Sequence, residues 1–378
     1  MKKILFVLPT LNGGGAERVV LNLLRHLDKN KYKITLFLFK NEGVYREEIP
    51  KNIRIVIATS WGHRYLNIPW VFIKLCIQSW QHNIIIAGLE LLPTYLSYFA
   101  GLLCKRPVIG WVHIAMYPHV MHSHLRKLHE ILIKIVYPNL TRIIFVSKGC
   151  AESLKNLLSN KKLNNYDIIP NILDFNIFKI YDDFQIINSQ EHPVVVGMGR
   201  LCEQKGFDIL IKAHALVIEM GIKHNLLILG DGPLRRNLVS LSKELGVSDT
   251  VFMPGFILNP IPALKSSTLF VLSSRYEGFG MVLLEALAAG LPVIATDCIS
   301  GPAEILENGK YGILVPPENP QALAEAIFSI LTKPSLLLYY KEKASQSIIN
   351  YMPDKVIIKW DQLFEDIIFK YEITTTKD

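Results

Sequence analysis

The sequence predicts an α/β protein made of two Rossmann-like, doubly wound parallel-sheet domains that face a cleft. Three observations predict it. Short apolar runs recur along the chain without the alternation of a half-exposed strand, as expected of strands covered on both faces. Helical stretches separate those runs, which gives βαβ order. The chain has 378 residues, half of them hydrophobic, and that is more than a single core holds.

The strands follow in order. A first set comprises Ile4–Leu8, Ile34–Phe39, Ile53–Ala58, Ile84–Ala87, Val108–Val112 and Ile143–Val146. A second comprises Val194–Gly197, Asn225–Leu229, Thr250–Met253, Leu269–Leu272, Pro292–Ala295 and Gly312–Val315. Helical patterns between them include Glu17–Leu27, Phe207–Met220 and Pro320–Leu331. Two such sets are too many strands for one compact sheet. The polar stretch Tyr181–His192 is the expected linker, dividing a first domain, residues 1–185, from a second, residues 186–353. Open α/β sheets bind ligands beyond the carboxyl ends of their strands, so two facing sheets would share one ligand across the cleft.

Two segments mimic membrane signals. Met1-Lys2-Lys3 precedes an apolar run of only five residues, Ile4–Leu8, which Pro9, Asn12 and three glycines end. A signal peptide needs roughly 7–15 apolar residues, so a buried first strand is expected. Ile84 to Cys104 is 21 residues with one charge, Glu90. Its length would span a bilayer, but Gly88, Glu90 and Pro93 break it into a strand, a loop and a buried helix from about Thr94.

The five cysteines, Cys76, Cys104, Cys150, Cys202 and Cys298, have no CxxC spacing. That opposes a disulfide scaffold or a zinc site and fits a reducing cytoplasm. The net charge of +8 is uneven, +12 over residues 1–185 and −4 over 186–378. The basic excess is dispersed and no nucleic-acid motif occurs, so nucleic acid is not the expected partner. From His122 to Val136, Leu125, Leu128, Leu132 and Ile135 recur at helical spacing beside Arg126, Lys127, His129 and Lys134. Two readings stand: a basic amphipathic surface for anionic lipid, or a helix packed on the sheet with a solvated basic face.

Three glycine-rich turns carry the chemistry. Asn12-Gly13-Gly14-Gly15-Ala16-Glu17-Arg18 follows a strand and opens a helix, where backbone approaches a phosphate or sugar closely. It matches neither GxGxxG nor GxxxxGK[ST], which opposes a dinucleotide fold of the standard kind and a Walker-type NTPase. Gly197-Met198-Gly199-Arg200 runs on to Lys205-Gly206, and two cations beside a glycine turn suit a diphosphate. Glu277-Gly278-Phe279-Gly280-Met281-Val282-Leu283-Leu284-Glu285 sets two carboxylates eight residues apart. If the segment between them is mostly helical, they project to one side about 12 Å apart, the scale of a nucleotide sugar. One would then accept from hexose hydroxyls and the other from the ribose diol, with helix N-terminal amides on the diphosphate. His113 ends a strand of the first domain and is the candidate there, against the plain alternative of a structural histidine.

In order and spacing these motifs, with Ile169-Pro170-Asn171, Gly230-Asp231-Gly232-Pro233, Pro254-Gly255, Ala289-Gly290-Leu291-Pro292-Val293-Ile294 and Gly301-Pro302-Ala303-Glu304-Ile305-Leu306, make nearly the whole chain resemble the retaining glycosyltransferases of GT-B fold, family 4. Within that family it looks most like bacterial enzymes of lipopolysaccharide, O-antigen, capsule or lipid-linked oligosaccharide synthesis. The resemblance implies a nucleotide-sugar donor, UDP before GDP, and a hexose or N-acetylhexosamine passed to a lipid-linked saccharide acceptor. It implies that Arg200 and Lys205 bind the diphosphate, Glu277 the hexose and Glu285 the ribose. Gly278, Phe279, Gly280, Met281 and Val282 would supply amides, Gly14 and Gly15 would close over the diphosphate, and His113 would lie near the reacting sugar. It implies a C-terminal helix within 354–378 that packs back on the first domain. No DxD motif occurs, so neither a metal nor another cofactor is expected. The expected place is cytoplasmic, peripheral on the inner face of the membrane. Two alternatives stand beside this: a GT-B epimerase of UDP-N-acetylhexosamine, and a non-catalytic sugar-nucleotide-binding subunit.

Overall fold

A computed structural model describes residues 1–59, 67–159, 163–174 and 192–375. It contains two parallel sheets. The first holds β1 (Lys2–Leu8), β2 (Tyr32–Lys40), β3 (Arg54–Thr59), β4 (Ile84–Ala87), β5 (Val108–Val112), β6 (Arg142–Phe145) and β7 (Tyr166–Ile168), in the order β3-β2-β1-β4-β5-β6-β7. The second holds β8 (Val194–Met198), β9 (Asn225–Leu229), β10 (Val251–Gly255), β11 (Leu269–Leu272), β12 (Val293–Thr296) and β13 (Ile313–Val315), in the order β10-β9-β8-β11-β12-β13. Strand order reverses between β1 and β4 in one sheet and between β8 and β11 in the other, which is the topology of a doubly wound fold.

The backbone divides into unit 1, Met1–Ile172 with Tyr351–Asp378, and unit 2, Leu173–Asn350. The expected linker at 181–192 lies outside the described residues, His192 apart. The chain leaves the first sheet soon after β7, earlier than the boundary at 185 that the polar stretch suggested. β7 itself escapes a search for apolar runs. It is a three-residue edge strand, half-buried throughout, and its Asp167 pairs with Arg142 of β6 at 2.7 Å.

Ile4–Leu8 is completely buried as the last five residues of β1. Pro93 does not interrupt the segment after β4. It sits in the first turn of a helix Leu92–Cys104, where its missing N–H costs nothing. Among the described residues no single helix is long and apolar enough to cross a membrane. The helix Pro353–Thr375 belongs to unit 1. Its Trp360 and Phe364 are fully buried, with Trp360 4.5 Å from Trp111 of β5 and Phe364 5.5 Å from Tyr32 of β2 between ring centroids.

One polar pair lies in the core of unit 2. His214 Nδ1 meets His224 Nε2 at 2.8 Å, and His214 Nε2 meets Thr250 Oγ1 at 2.8 Å. Burial holds both imidazoles below the ordinary histidine pKa of 6.5. Below that pH the unfolded chain takes up protons that the folded pair refuses, so the stability this pair contributes is complete above 6.5 and declines as pH falls. The unfolding midpoint should drop more steeply between about pH 7 and 4.5 in the wild type than in His224→Gln. Equal slopes would remove the pair from the acid response.

Candidate functional site

In unit 2 the turns after β8 and β11 meet at the reversal of strand order. The β8 turn must pass close to its neighbours. A Cβ at Gly230 would lie 2.0 Å from the Gly199 carbonyl oxygen, and one at Gly206, whose φ is +60°, would lie 2.2 Å from the Ser273 oxygen. Only glycine fits such contacts. The short 3-10 turn Glu203–Lys205 that results is tied to the β11 turn. Ser273 Oγ donates to the Lys205 carbonyl at 2.9 Å, Gln204 Nε2 to the Tyr276 carbonyl at 3.0 Å, and the Arg275 N–H to the Gln204 carbonyl at 2.8 Å.

Arg275 tightens this junction. Its guanidinium donates to both carboxylate oxygens of Asp208 at 2.9 Å each, to the Glu203 carbonyl at 2.7 Å, and to Glu318. Burial works to raise the Asp208 pKa, yet the fork from Arg275 outweighs it and holds the carboxyl below its ordinary value.

The clamp places Lys205 on Glu277. Lys205 Nζ lies 2.6 Å from Glu277 Oε1, and Ser274 Oγ donates to the same oxygen at 2.6 Å. Glu277 is 4% exposed, and Lys205 is half-buried. Beneath them burial, aided by the Glu277 charge, pushes the Cys298 thiol up to about 12, so it is inert as a nucleophile. Arg200 stands exposed at the head of the same turn, and its charge reaches Tyr276.

The segment from Glu277 to Glu285 is helical only in its second part, from Met281 onward. Tyr276 bridges Ile299, Glu277 N–H donates to the Ile299 carbonyl at 3.2 Å, and the helix starts only at Met281, running to Ala288. Gly280 turns the chain into it with φ +96°. The spacing expected from an unbroken helix therefore does not apply, because bridge pairing with Ile299 holds the first residues extended. Both carboxylates are nevertheless buried, Glu285 on the helix and Glu277 ahead of it. Gly278 and Phe279 are buried and Met281 and Val282 half-buried. A Cβ at Gly301 would lie 2.2 Å from the Phe279 oxygen, and Ser300 Oγ donates to the Gly278 carbonyl at 2.7 Å, so the 300–301 loop backs the amide-bearing turn.

In unit 1, Gly13 takes φ +92°, Gly14 caps the helix Gly15–His26, and Glu17 folds back until a Cβ at Gly14 would lie 2.1 Å from its Oε2. Tyr45 braces the loop, its Oη donating to the Gly13 carbonyl at 3.4 Å and its ring 5.6 Å from the Arg18 guanidinium. His113 follows β5. Its ring packs on Trp111 at 4.5 Å, and both ring nitrogens are enclosed. Burial lowers its pKa to about 3, the Gly88 backbone pulling weakly the other way. It is a neutral imidazole at physiological pH. Glu90 Oε2 accepts from the His113 backbone N–H at 3.2 Å.

Sequence reasoning named Arg200, Lys205, Glu277, Glu285, Gly14, Gly15 and His113. It missed Ser274, Arg275 and Glu90. Glu90 left a signal, as the single charge in a 21-residue apolar stretch. Arg275 left none, since its partners lie 67 and 43 residues away.

Comparison with known proteins matches residues 13–176 to the model of Glycosyltransferase Family 4 and residues 180–347 to that of Glycosyl transferases group 1. The chain is 28% identical, over 96% of its length and 99% of the relative's, to the N-acetylgalactosamine-N,N'-diacetylbacillosaminyl-diphospho-undecaprenol 4-alpha-N-acetylgalactosaminyltransferase of Campylobacter jejuni. It is 25% identical, over 96% of its length and 99% of the relative's, to the amylovoran biosynthesis glycosyltransferase AmsD of Erwinia amylovora. In fold it is similar to HepE of Anabaena, solved with UDP and glucose, at TM-score 0.81 and 19% identity over 97% of this chain and 100% of that one.

Arg275→Met should lower the stability of unit 2 by about 2 kcal/mol, since it strips charged hydrogen bonds from a half-buried carboxylate. Thermal unfolding checks this, and an unchanged midpoint would mean that the clamp is idle.

Proposed function

We propose, from the premise that the chain belongs to the glycosyltransferases built of a family 4 domain followed by a group 1 domain, that it passes a hexose or N-acetylhexosamine from a UDP-sugar to a lipid-linked saccharide in bacterial surface-glycan synthesis, with retained anomeric configuration. One observation carries the reading: a buried Glu277 held by Lys205 and Ser274, next to the amino end of the helix Met281–Ala288, at the strand reversal of unit 2. The Campylobacter relative's name supports the lipid-linked acceptor, and the UDP in the HepE structure supports the donor nucleotide.

In this reading unit 2 binds the donor. Arg200 and Lys205 meet the diphosphate, and Gly278, Phe279, Gly280, Met281 and Val282 offer backbone amides to it and to the sugar. Glu277 accepts from hexose hydroxyls and Glu285 from the ribose diol. The acceptor oxygen bonds to the anomeric carbon on the face from which the diphosphate departs, and the hydroxyl proton passes to the leaving phosphate oxygen. The task is to stabilise that departing charge. Two cations and a helix amino end do so, and we propose no metal requirement. In unit 1, Gly14 and Gly15 approach the diphosphate, and His113 serves the reacting sugar as a neutral hydrogen-bonding group.

The same reading places the protein at the inner face of the cytoplasmic membrane. Three adjoining helices of unit 1 support it: Ile68–Trp80 packs on Leu92–Cys104, which packs on Arg126–Val136. Trp70, Ile77, Trp80, Leu102, Leu103, Leu128 and Ile131 are exposed on them, with Lys105, Lys127 and Lys134 alongside. Leu125 just before the last helix, and Leu128 and Ile135 on it, are exposed residues of the apolar stripe, while Ile133 and Val136 pack inward, which favours the lipid reading over a merely solvated basic face.

Purified protein should transfer sugar from a labelled UDP-sugar to extracted membrane lipid. Lys205→Ala and Glu277→Ala should each lower the rate at least about 100-fold, the scale on which removed transition-state contacts act. Absence of donor consumption in the wild type would overturn the reading, and an epimerised sugar nucleotide without acceptor would replace it. Binding to vesicles of phosphatidylglycerol should weaken as salt rises and should fall several-fold in Trp70→Ser/Trp80→Ser. Equal binding to neutral vesicles would refute the electrostatic share.

A further inference from the structure

Unit 1 repeats at its own strand reversal the arrangement that unit 2 uses. β8 leads into a glycine turn and its neighbour β11 leads to Glu277; β1 leads into the Gly13–Gly15 turn and its neighbour β4 leads to Glu90. Each crevice is where a doubly wound sheet takes its ligand.

The Glu90 turn is held in place from several sides. Gly88 N–H donates to the Val7 carbonyl at 2.9 Å, and a Cβ at Gly88 would lie 2.9 Å from Leu8 Cδ2, so β4 is pressed against β1. Leu91 adopts φ +60°, a strained conformation for a branched side chain. Its N–H donates to Tyr137 Oη at 3.1 Å, and Thr94 Oγ1 donates to the Leu89 carbonyl at 2.8 Å. What this bracing presents is Glu90, which stays part-exposed with Oε2 on the His113 N–H. Beside it the His113 ring nitrogens are enclosed, with the Gly88 backbone next to them.

We propose that Glu90 in this crevice of unit 1 accepts a hydrogen bond from a hydroxyl of the acceptor saccharide, beside the reacting sugar that His113 serves. The chemistry selects the ligand. A carboxylate only accepts, and an alcohol O–H donates. A phosphate set against Glu90 itself, as distinct from the diphosphate that Gly14 and Gly15 approach, would face its charge. Burial raises the Glu90 pKa, against the pull of its own and the His113 backbone N–H, so an O–H donor would further relieve the carboxylate. Tyr137 lies close as well, but its hydroxyl already accepts from Leu91.

The inference rests on the glycosyltransferase reading. Its test compares two outcomes of one donor: transfer to lipid-linked saccharide extracted from membranes, and hydrolysis to water. In Glu90→Gln the ratio of transfer to hydrolysis should fall at least about tenfold and the acceptor KM should rise, while Glu90→Asp recovers part of the ratio. A circular-dichroism melt confirms that each variant is folded. An unchanged ratio, or transfer and hydrolysis falling in parallel, overturns the assignment while leaving the enzyme a glycosyltransferase. A wild type that turns over no UDP- or GDP-sugar overturns the reading and this assignment together.

Discussion

Every strand pair within the two sheets is parallel, and that constraint decides where chemistry can reside. Parallel neighbours need crossovers long enough for a helix, and the helices cover both faces of the sheet. Strands buried on both faces have no room for charge, so Ile4–Leu8 and Ile84–Ala87 are wholly apolar. Polar groups are displaced past the carboxyl ends, where all the strands of a sheet finish at one edge. Gly13–Gly15, Glu90, His113, Lys205 and Glu277 are all residues of that kind.

The two carboxylates at the reversals are treated differently. Glu277 is almost sealed, and a sealed charge without partners would be costly. Unit 2 meets it with Lys205 and Ser274, and it fixes Lys205 through the Arg275 fork on Asp208 and Glu318. Glu90 has a backbone N–H from His113 and no ion pair among the described residues. One carboxylate is thus prepaired and rigid, and the other is the one we propose for a ligand.

Much of this was legible in the sequence because burial on two faces writes itself as uninterrupted apolar runs. Where the rule weakens, legibility fails: β7 is short, lies at an edge and carries Asp167, and so it does not read as a strand. The motif residues at the unit 2 site were legible because glycines at close approaches, such as Gly206 against Ser273, cannot be replaced by a side chain without a clash. The local path was not. Nothing in Glu277–Glu285 announces the bridge to Ile299 that delays the helix to Met281, because that partner arrives from another strand's loop. Arg275 is hidden for the same reason. Glu90 is the opposite case, visible as a break in an apolar stretch but given no function, since one charge at a strand end says nothing of the His113 beside it.

The uneven charge follows from the same geometry. The groups at the strand reversal of unit 1 include Glu17 and Glu90, so its +12 excess cannot be assigned to that crevice alone. Lys74, Lys105, Arg106, Lys127 and Lys134 instead lie on or beside the helices that expose Trp70, Trp80, Leu102 and Leu128. Charge on an apolar helical layer acts at a surface, over a Debye length, whereas recognition at the strand ends acts through single hydrogen bonds. Unit 2 fits the same separation: it carries the proposed diphosphate site although the residues from 186 onward sum to −4. In that proposal, local cations on a clamped turn and the amino end of one helix would hold the diphosphate, leaving net charge to serve a different end.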